Sequence, residues 1–184
     1  MIVLGLDIST SITACTLINT ELPQSDQLIK TYVIHLSDTK DLYVKSCKVR
    51  EVFSNIANTH SVDKIIVEDA LQSFRRGLSS AKTLSTLTRF NGMVCFLAED
   101  IIRQKIERVN VIRARSSIGI KLDRKSEKNT KDQVLEWVSS RPQFKNYQWP
   151  TKTMKSGPRK GQTVLDKACY DIADSAVMCF YSLI

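Results

Sequence analysis

Two apolar, β-rich runs, Ile2–Ile8 and residues 13–18, are separated by the turn Ser9–Thr10–Ser11. A connection that short cannot cross back over a sheet, so the two runs must pair antiparallel. After a polar link at 20–27, residues 29–36 repeat the pattern and extend the pair into a meander. The periodicity then changes. Leu42, Val49, Val52, Phe53 and Ile56 recur at helical spacing across about residues 41–58. Residues 64–67 are a short apolar run closed by Glu68 and Asp69. The spacing next predicts a long amphipathic helix over 79–103, a strand over 109–112, a helix near 131–139 and a last helix over 164–183. Residues 141–163 show no periodicity and read as a long basic loop, mobile until a ligand orders it. Serial hairpins followed by β-α crossovers predict an α/β protein: a mixed five-stranded sheet with helices on both faces. No shift in composition divides the chain, so residues 1–184 are expected to form one domain.

The net charge of +8 is unevenly placed. Residues 103–131 carry +7 and residues 141–167 carry +6, so the rest of the chain sums to −5. A basic half on an acidic remainder points to a polyanion partner, nucleic acid above all. No apolar run approaches the roughly 20 residues of a bilayer span. The chain enters a strand at once, without a secretory or transit segment, so membrane association is not expected and the predicted location is cytoplasmic. Five cysteines without CxxC spacing read as reduced core thiols. His35 and His60 are isolated, which argues against a histidine metal site or a histidine-activated nucleophile.

Acids stand where apolar strands end. Asp7 closes the first strand and Glu68 the fourth, and a carboxylate there costs several kcal/mol to desolvate unless it is paired. In the last helix, Asp171 and Asp174 are three residues apart and share a face among Cys169, Ile172, Ala173, Ala176 and Val177. Like charges at that spacing repel, and a divalent cation is one physical remedy. Two such ions can activate water and stabilise the leaving oxygen of a phosphodiester. Two blander readings compete. Asp7 could cap a turn with Ser9 and Thr10, and Asp174 could pair with Lys167 or Lys64.

GLDIS, IVEDALQSF and CYDIADSAVM, in that order, resemble the RuvC family of Holliday junction resolvases, within the RNase H-like superfamily. The style is closer to members from phages, large DNA viruses and mitochondria than to the main bacterial enzyme. The resemblance implies an RNase H-like fold and a nuclease that resolves four-way DNA junctions. It implies two Mg²⁺ per site, with Mn²⁺ able to substitute, held by Asp7, Glu68, Asp171 and Asp174. It implies a homodimer presenting two sites to one junction, with Leu84, Leu87, Phe90, Val94 and Leu97 of the long helix as a candidate interface. The stretch IGIKLDRKSEKNTK resembles the family's lysine-bearing segment near the scissile phosphate, which places Lys121 there and makes Arg124, Lys125 and Lys128 backbone contacts. Phe74, Arg75 and Arg76 are candidates for stacking on an unpaired base and holding its phosphates. The basic stretch 141–163 departs from the family pattern. Its Lys152, Lys155, Arg159 and Lys160 are expected to neutralise phosphates.

Three other functions fit parts of this pattern. The same fold could cleave RNA or an RNA–DNA hybrid. GLDISTSITACTL also resembles the phosphate loop of the actin and hexokinase superfamily, although the chain is too short for the two duplicated domains that clamp nucleotide there. A nucleic-acid binder with a decayed site would lack an acid, and none of the four is missing.

Overall fold

Alternation along the first strand decides which face of the sheet each side chain meets. A computed structural model describes residues 1–69 and 81–184. In β1 (Ile2–Ile8), Val3 points to one core and Leu4, Leu6 and Ile8 to the other. β2 (Ile12–Asn19) pairs antiparallel with β1, and β3 (Leu28–His35) antiparallel with β2. β4 (Lys64–Glu68) lies parallel to β1 on its other side, and β5 (Ile106–Val109) parallel to β4. The result is a mixed five-stranded sheet of order β3-β2-β1-β4-β5. The expected α/β architecture, with helices on both faces, is the one observed.

One face is covered by α1 (Leu42–Thr59) and α2 (Ala81–Ile102). Asp41 starts α1, its carboxylate accepting the Tyr43 N–H at 2.7 Å. The other face carries α3 (Val111–Ser117), α4 (Thr130–Ser139) and α5 (Ala168–Tyr181). Four of the five cysteines are buried and all are unpaired, and burial pushes the Cys15 thiol up to about 12. Among the described residues, no helix is long and apolar enough to cross a membrane.

Four expectations need correction. The strand predicted over 109–112 is displaced: β5 ends at Val109, and Asn110 caps a helix instead. Its side-chain oxygen accepts the N–H groups of Ile112 and Arg113 at 2.9 and 3.3 Å. Residues 141–163 are not an aperiodic loop. Residues Pro142–Phe144 form a helical turn, and β6 (Thr151–Thr153) pairs antiparallel with β7 (Thr163–Leu165) in a hairpin. Phe144 is fully buried and stacks on Trp149 at 5.4 Å, with Tyr147 edge-on to both. The last helix begins at Ala168, because residues 163–165 belong to that hairpin. Finally, Phe90, Val94 and Leu97 of α2 are buried in the protein's own core, so they are not open to a second subunit. The apolar side chains that α1 and α2 do expose are Tyr43, Val44 and Phe96. Tyr43 and Phe96 flank a cavity of about 340 Å³ that Cys47, Met93 and Leu97 help to line.

Candidate active site

Period-two alternation puts Asp7 on the same side of β1 as Val3 and Gly5, under α5. On β4 it puts Glu68 on the side of Ile66. The strands are parallel with Leu6 opposite Val67, so the two acids end adjacent strands on one face. α5 is pressed onto them. A Cβ added at Gly5 would collide with the Ser175 carbonyl oxygen and come within 2.8 Å of the Cys179 sulfur, so only glycine allows this approach. The contact is fixed by the Ser175 and Thr16 hydroxyls, 2.7 Å apart and buried, and by the Cys179 thiol donating to the Thr16 carbonyl at 3.1 Å. Asp171 and Asp174 therefore face the strand ends.

The four carboxylates lie within electrostatic reach of one another. Burial pushes Asp7 well above the usual carboxylate range, and the charges of Asp174, Glu68 and Asp171 push it further. Burial raises Glu68 as well, assisted by Asp174 and opposed by Arg115 and Lys131. Asp171 is raised by burial, against the attraction of Lys131, and hydrogen-bonds Asp7. Asp7 does not serve as the turn cap. That task falls to Ser9, whose hydroxyl accepts the Ile12 N–H at 3.0 Å and donates to the Ile12 carbonyl at 2.7 Å. Nor does Asp174 pair with Lys167 or Lys64: Lys64 pairs with Glu107 at 2.8 Å, and Asp174 with Arg115.

Two cations serve the cluster, and neither was singled out from the sequence. Arg115 on α3 donates through Nη2 to Asp174 Oδ1 at 2.7 Å, with both side chains largely buried. It arrives there because Glu68 and Val109 are partners in the β4–β5 ladder, which sets the start of α3 beside the acids. Lys131 stands in the first turn of α4. Asn129 caps that turn, accepting the Asp132 N–H at 3.0 Å, and the Tyr170 hydroxyl ties Asp132 to α5 at 2.6 Å. Lys121, predicted for this position, is exposed in the segment between α3 and α4 and is not among the cations acting on the acids. A lone arginine or lysine in a basic stretch carries no local mark of such a role. Arg115 meets its partner 59 residues away.

The other predicted contacts lie on the surface. Arg124 and Lys125 are exposed in a turn, and Lys128 pairs with Glu136 at 2.7 Å in the open. Such exposed pairs contribute about 0–1 kcal/mol and exchange readily for a phosphate. Lys155, Arg159 and Lys160 are exposed at the end of the β6–β7 hairpin, while Lys152 leans on Asp166 at 3.6 Å. Phe74, Arg75 and Arg76 lie outside the described residues.

An oxygen-only donor set suits a hard cation such as Mg²⁺. Fully ionised, the four carboxylates outnumber Arg115 and Lys131 by two charges, the charge of one divalent ion. Yet among the described residues no three His, Cys, Asp or Glu side chains are arranged to hold a metal. The chemistry of the site fits the group, while the arrangement with Arg115 on Asp174 is not a closed ligand set.

No family model matches the chain, and no curated protein matches it in sequence. Solved structures match it in three dimensions. Thermus thermophilus RuvC in complex with a Holliday junction substrate superposes with a TM-score of 0.64 at 11% identity, covering 100% of this chain and 95% of that one. A further Thermus thermophilus RuvC structure gives 0.61 at 13%, covering 100% and 96%. The yeast mitochondrial Holliday junction resolvase gives 0.56 at 16%, covering 97% and 76%. The protein thus has the RNase H-like fold. Within that class its likeness is to the RuvC-type Holliday junction resolvases.

Proposed function

We propose that this chain is a Mg²⁺-dependent endonuclease that resolves four-way DNA junctions. The observation that carries the reading is the gathering of Asp7, Glu68, Asp171 and Asp174 from β1, β4 and α5 into one under-neutralised cluster. Such an arrangement is destabilising in itself and is explained by a task. These four residues would hold the metal, two ions per site, with Mn²⁺ a substitute. When bound, the metal activates a water and stabilises the leaving oxygen of a phosphodiester. The chain's own groups do the rest. Lys131 neutralises charge beside Asp7 and Asp171. Arg124, Lys125, Lys128 and the hairpin cations draw the DNA backbone in, against the repulsion of the acids. The RuvC structure with its junction substrate supports branched DNA as the partner.

A junction needs two matched cuts, and each chain has one cluster, so the active form is a homodimer. With Phe90, Val94 and Leu97 taken up internally, the outer face of α1 and α2 around Tyr43 and Phe96 is a surface open for pairing.

The test is cleavage with Mg²⁺ on a four-way junction, a linear duplex and an RNA–DNA hybrid, for wild type and Glu68→Gln. Cuts confined to the junction and lost in the variant support the reading. Preference for the hybrid moves the same chemistry to an RNA substrate, and wild-type rates in Glu68→Gln exclude the carboxylate site altogether.

A further inference from the structure

We infer that Arg115 is a positioning residue that latches Asp174 while metal is absent, and that its guanidinium yields the carboxylate when a divalent cation binds and turns to a DNA phosphate. The inference rests on the metal-dependent reading above. Three observations carry it. The Arg115–Asp174 contact is short, 2.7 Å, and both side chains are mostly withdrawn from solvent, at 15% and 10% exposure. The Coulomb attraction in that setting is much larger than on the surface, and a carboxylate that loses such a partner needs another cation in its place. It occupies Oδ1 of Asp174, and no three of the described His, Cys, Asp or Glu side chains form a closed ligand set. Arg115 also has a donor to spare: among the described residues, its buried Nε has no hydrogen-bond partner. A buried guanidinium N–H left unmet is costly. A phosphate oxygen beside the acids would satisfy it, since the planar fork of arginine suits two-point recognition of phosphate. Lys131 does not duplicate this role, because it acts on Asp7, Glu68 and Asp171 and makes no ion pair with Asp174.

Arg115 and the metal then compete for the same oxygen, and removing the competitor must tighten metal binding. The experiment is a calorimetric titration of the metal-free, DNA-free protein with Mn²⁺, comparing wild type, Arg115→Gln and Arg115→Lys. Arg115→Gln is expected to bind Mn²⁺ about tenfold tighter or more, with Arg115→Lys between it and wild type. A merely structural arginine would lower the melting temperature and leave or weaken the affinity, so equal or weaker binding in Arg115→Gln overturns the inference while the metal reading stands. Binding by none of the three overturns both. Should Arg115→Gln fail to fold, the wild type still answers: the Arg115 Nε–H resonance must shift as Mg²⁺ is added, and a resonance unmoved at saturating metal overturns the latch.

Discussion

The acidic cluster and the basic surface are built to opposite standards. Asp7, Glu68, Asp171 and Asp174 stand on the central strands and on the most buried helix, where a single glycine, Gly5, sets the separation of helix and sheet. The cations of the hairpin stand at the end of two three-residue strands, exposed and mostly unpaired. The difference follows from what each must do. Metal ligation fails with an error of a fraction of an ångström. Attraction of a polyanion needs only charge within about a Debye length. Position is therefore costly and central at one site, and cheap and peripheral at the other.

The sharpest way to break that comparison is to alter geometry while keeping charge. Asp7→Glu moves the carboxylate by one methylene and is expected to lower cleavage about a thousandfold or more. Lys155→Arg and Lys160→Arg shift a charge by as much and should leave rates unchanged. Asp7→Asn adds a thermodynamic test on the metal-free protein. A carboxylate raised in the fold takes up its proton more tightly there than in the unfolded chain. It therefore supports the fold below its unfolded value, and that support is lost as pH rises through the folded value. Asp7, Glu68 and Asp171 are all raised, so in EDTA the wild type should weaken relative to Asp7→Asn as the pH rises above the ordinary carboxylate range. The variant should melt higher at neutral pH. A gap between the two melting temperatures that narrows with pH would show that the cluster is not under strain.

A second contrast lies inside the basic segment, between the hairpin and its root. Phe144 stacks on Trp149 and meets Phe180 of α5 edge-on at 6.1 Å. The Tyr147 hydroxyl reaches Thr31 on β3 at 2.7 Å, and Gln143 donates to Gln27 at 2.7 Å. Phe144→Ala is expected to cost about 3–5 kcal/mol, read by urea denaturation. A loss below about 1 kcal/mol would mean that the aromatic cluster is not part of the core.

This root is also where the sequence was least readable. The sheet could be read because its strands are continuous or alternating apolar runs, and the acids because they interrupt those runs. Phe144, Tyr147 and Trp149 follow no period, since an irregular turn rather than a helix or strand delivers them to the core. Strands of three residues with exposed threonines and a lysine give no alternation to detect. The start of α3 did carry a signal, the asparagine cap at Asn110, but the apolar VNVI around it imitated a strand. Arg115 and Lys131 had no local signal. Their role exists only once β5, α3 and α4 have been brought to the acids.

The hairpin tip should behave in the opposite way to its root. Neutralising Lys152, Lys155, Arg159 and Lys160 together removes charge from three exposed positions and one half-buried one, and among the described residues the only ion pair affected is the 3.6 Å pair of Lys152 with Asp166. Stability should change by less than about 0.5 kcal/mol. Junction affinity should fall, and the slope of log affinity against log salt should flatten by about 0.9 for each phosphate that is no longer neutralised. Equal slopes in wild type and quadruple variant would show that the hairpin does not meet the backbone.

The smallest effect tests whether the demand for position extends to the cations next to the cluster. Tyr170→Phe removes only the hydroxyl that donates to Asp132 at 2.6 Å, beside Lys131. Losing one hydrogen bond to a charged acceptor costs about 1.5–3 kcal/mol when buried, and less here because the contact is only partly shielded. The melting temperature should fall slightly. Asp132 lies in the first turn of α4, so loosening it frees the turn that carries Lys131 toward Asp7 and Asp171. Cleavage of a bound junction should then slow with no change in affinity, because Lys131 acts at the acids and not on the surface. A loss of affinity without a change in the single-turnover rate would place Lys131 with the diffuse basic surface, and the division between positioned and merely attractive charge would have to be drawn closer to the four carboxylates.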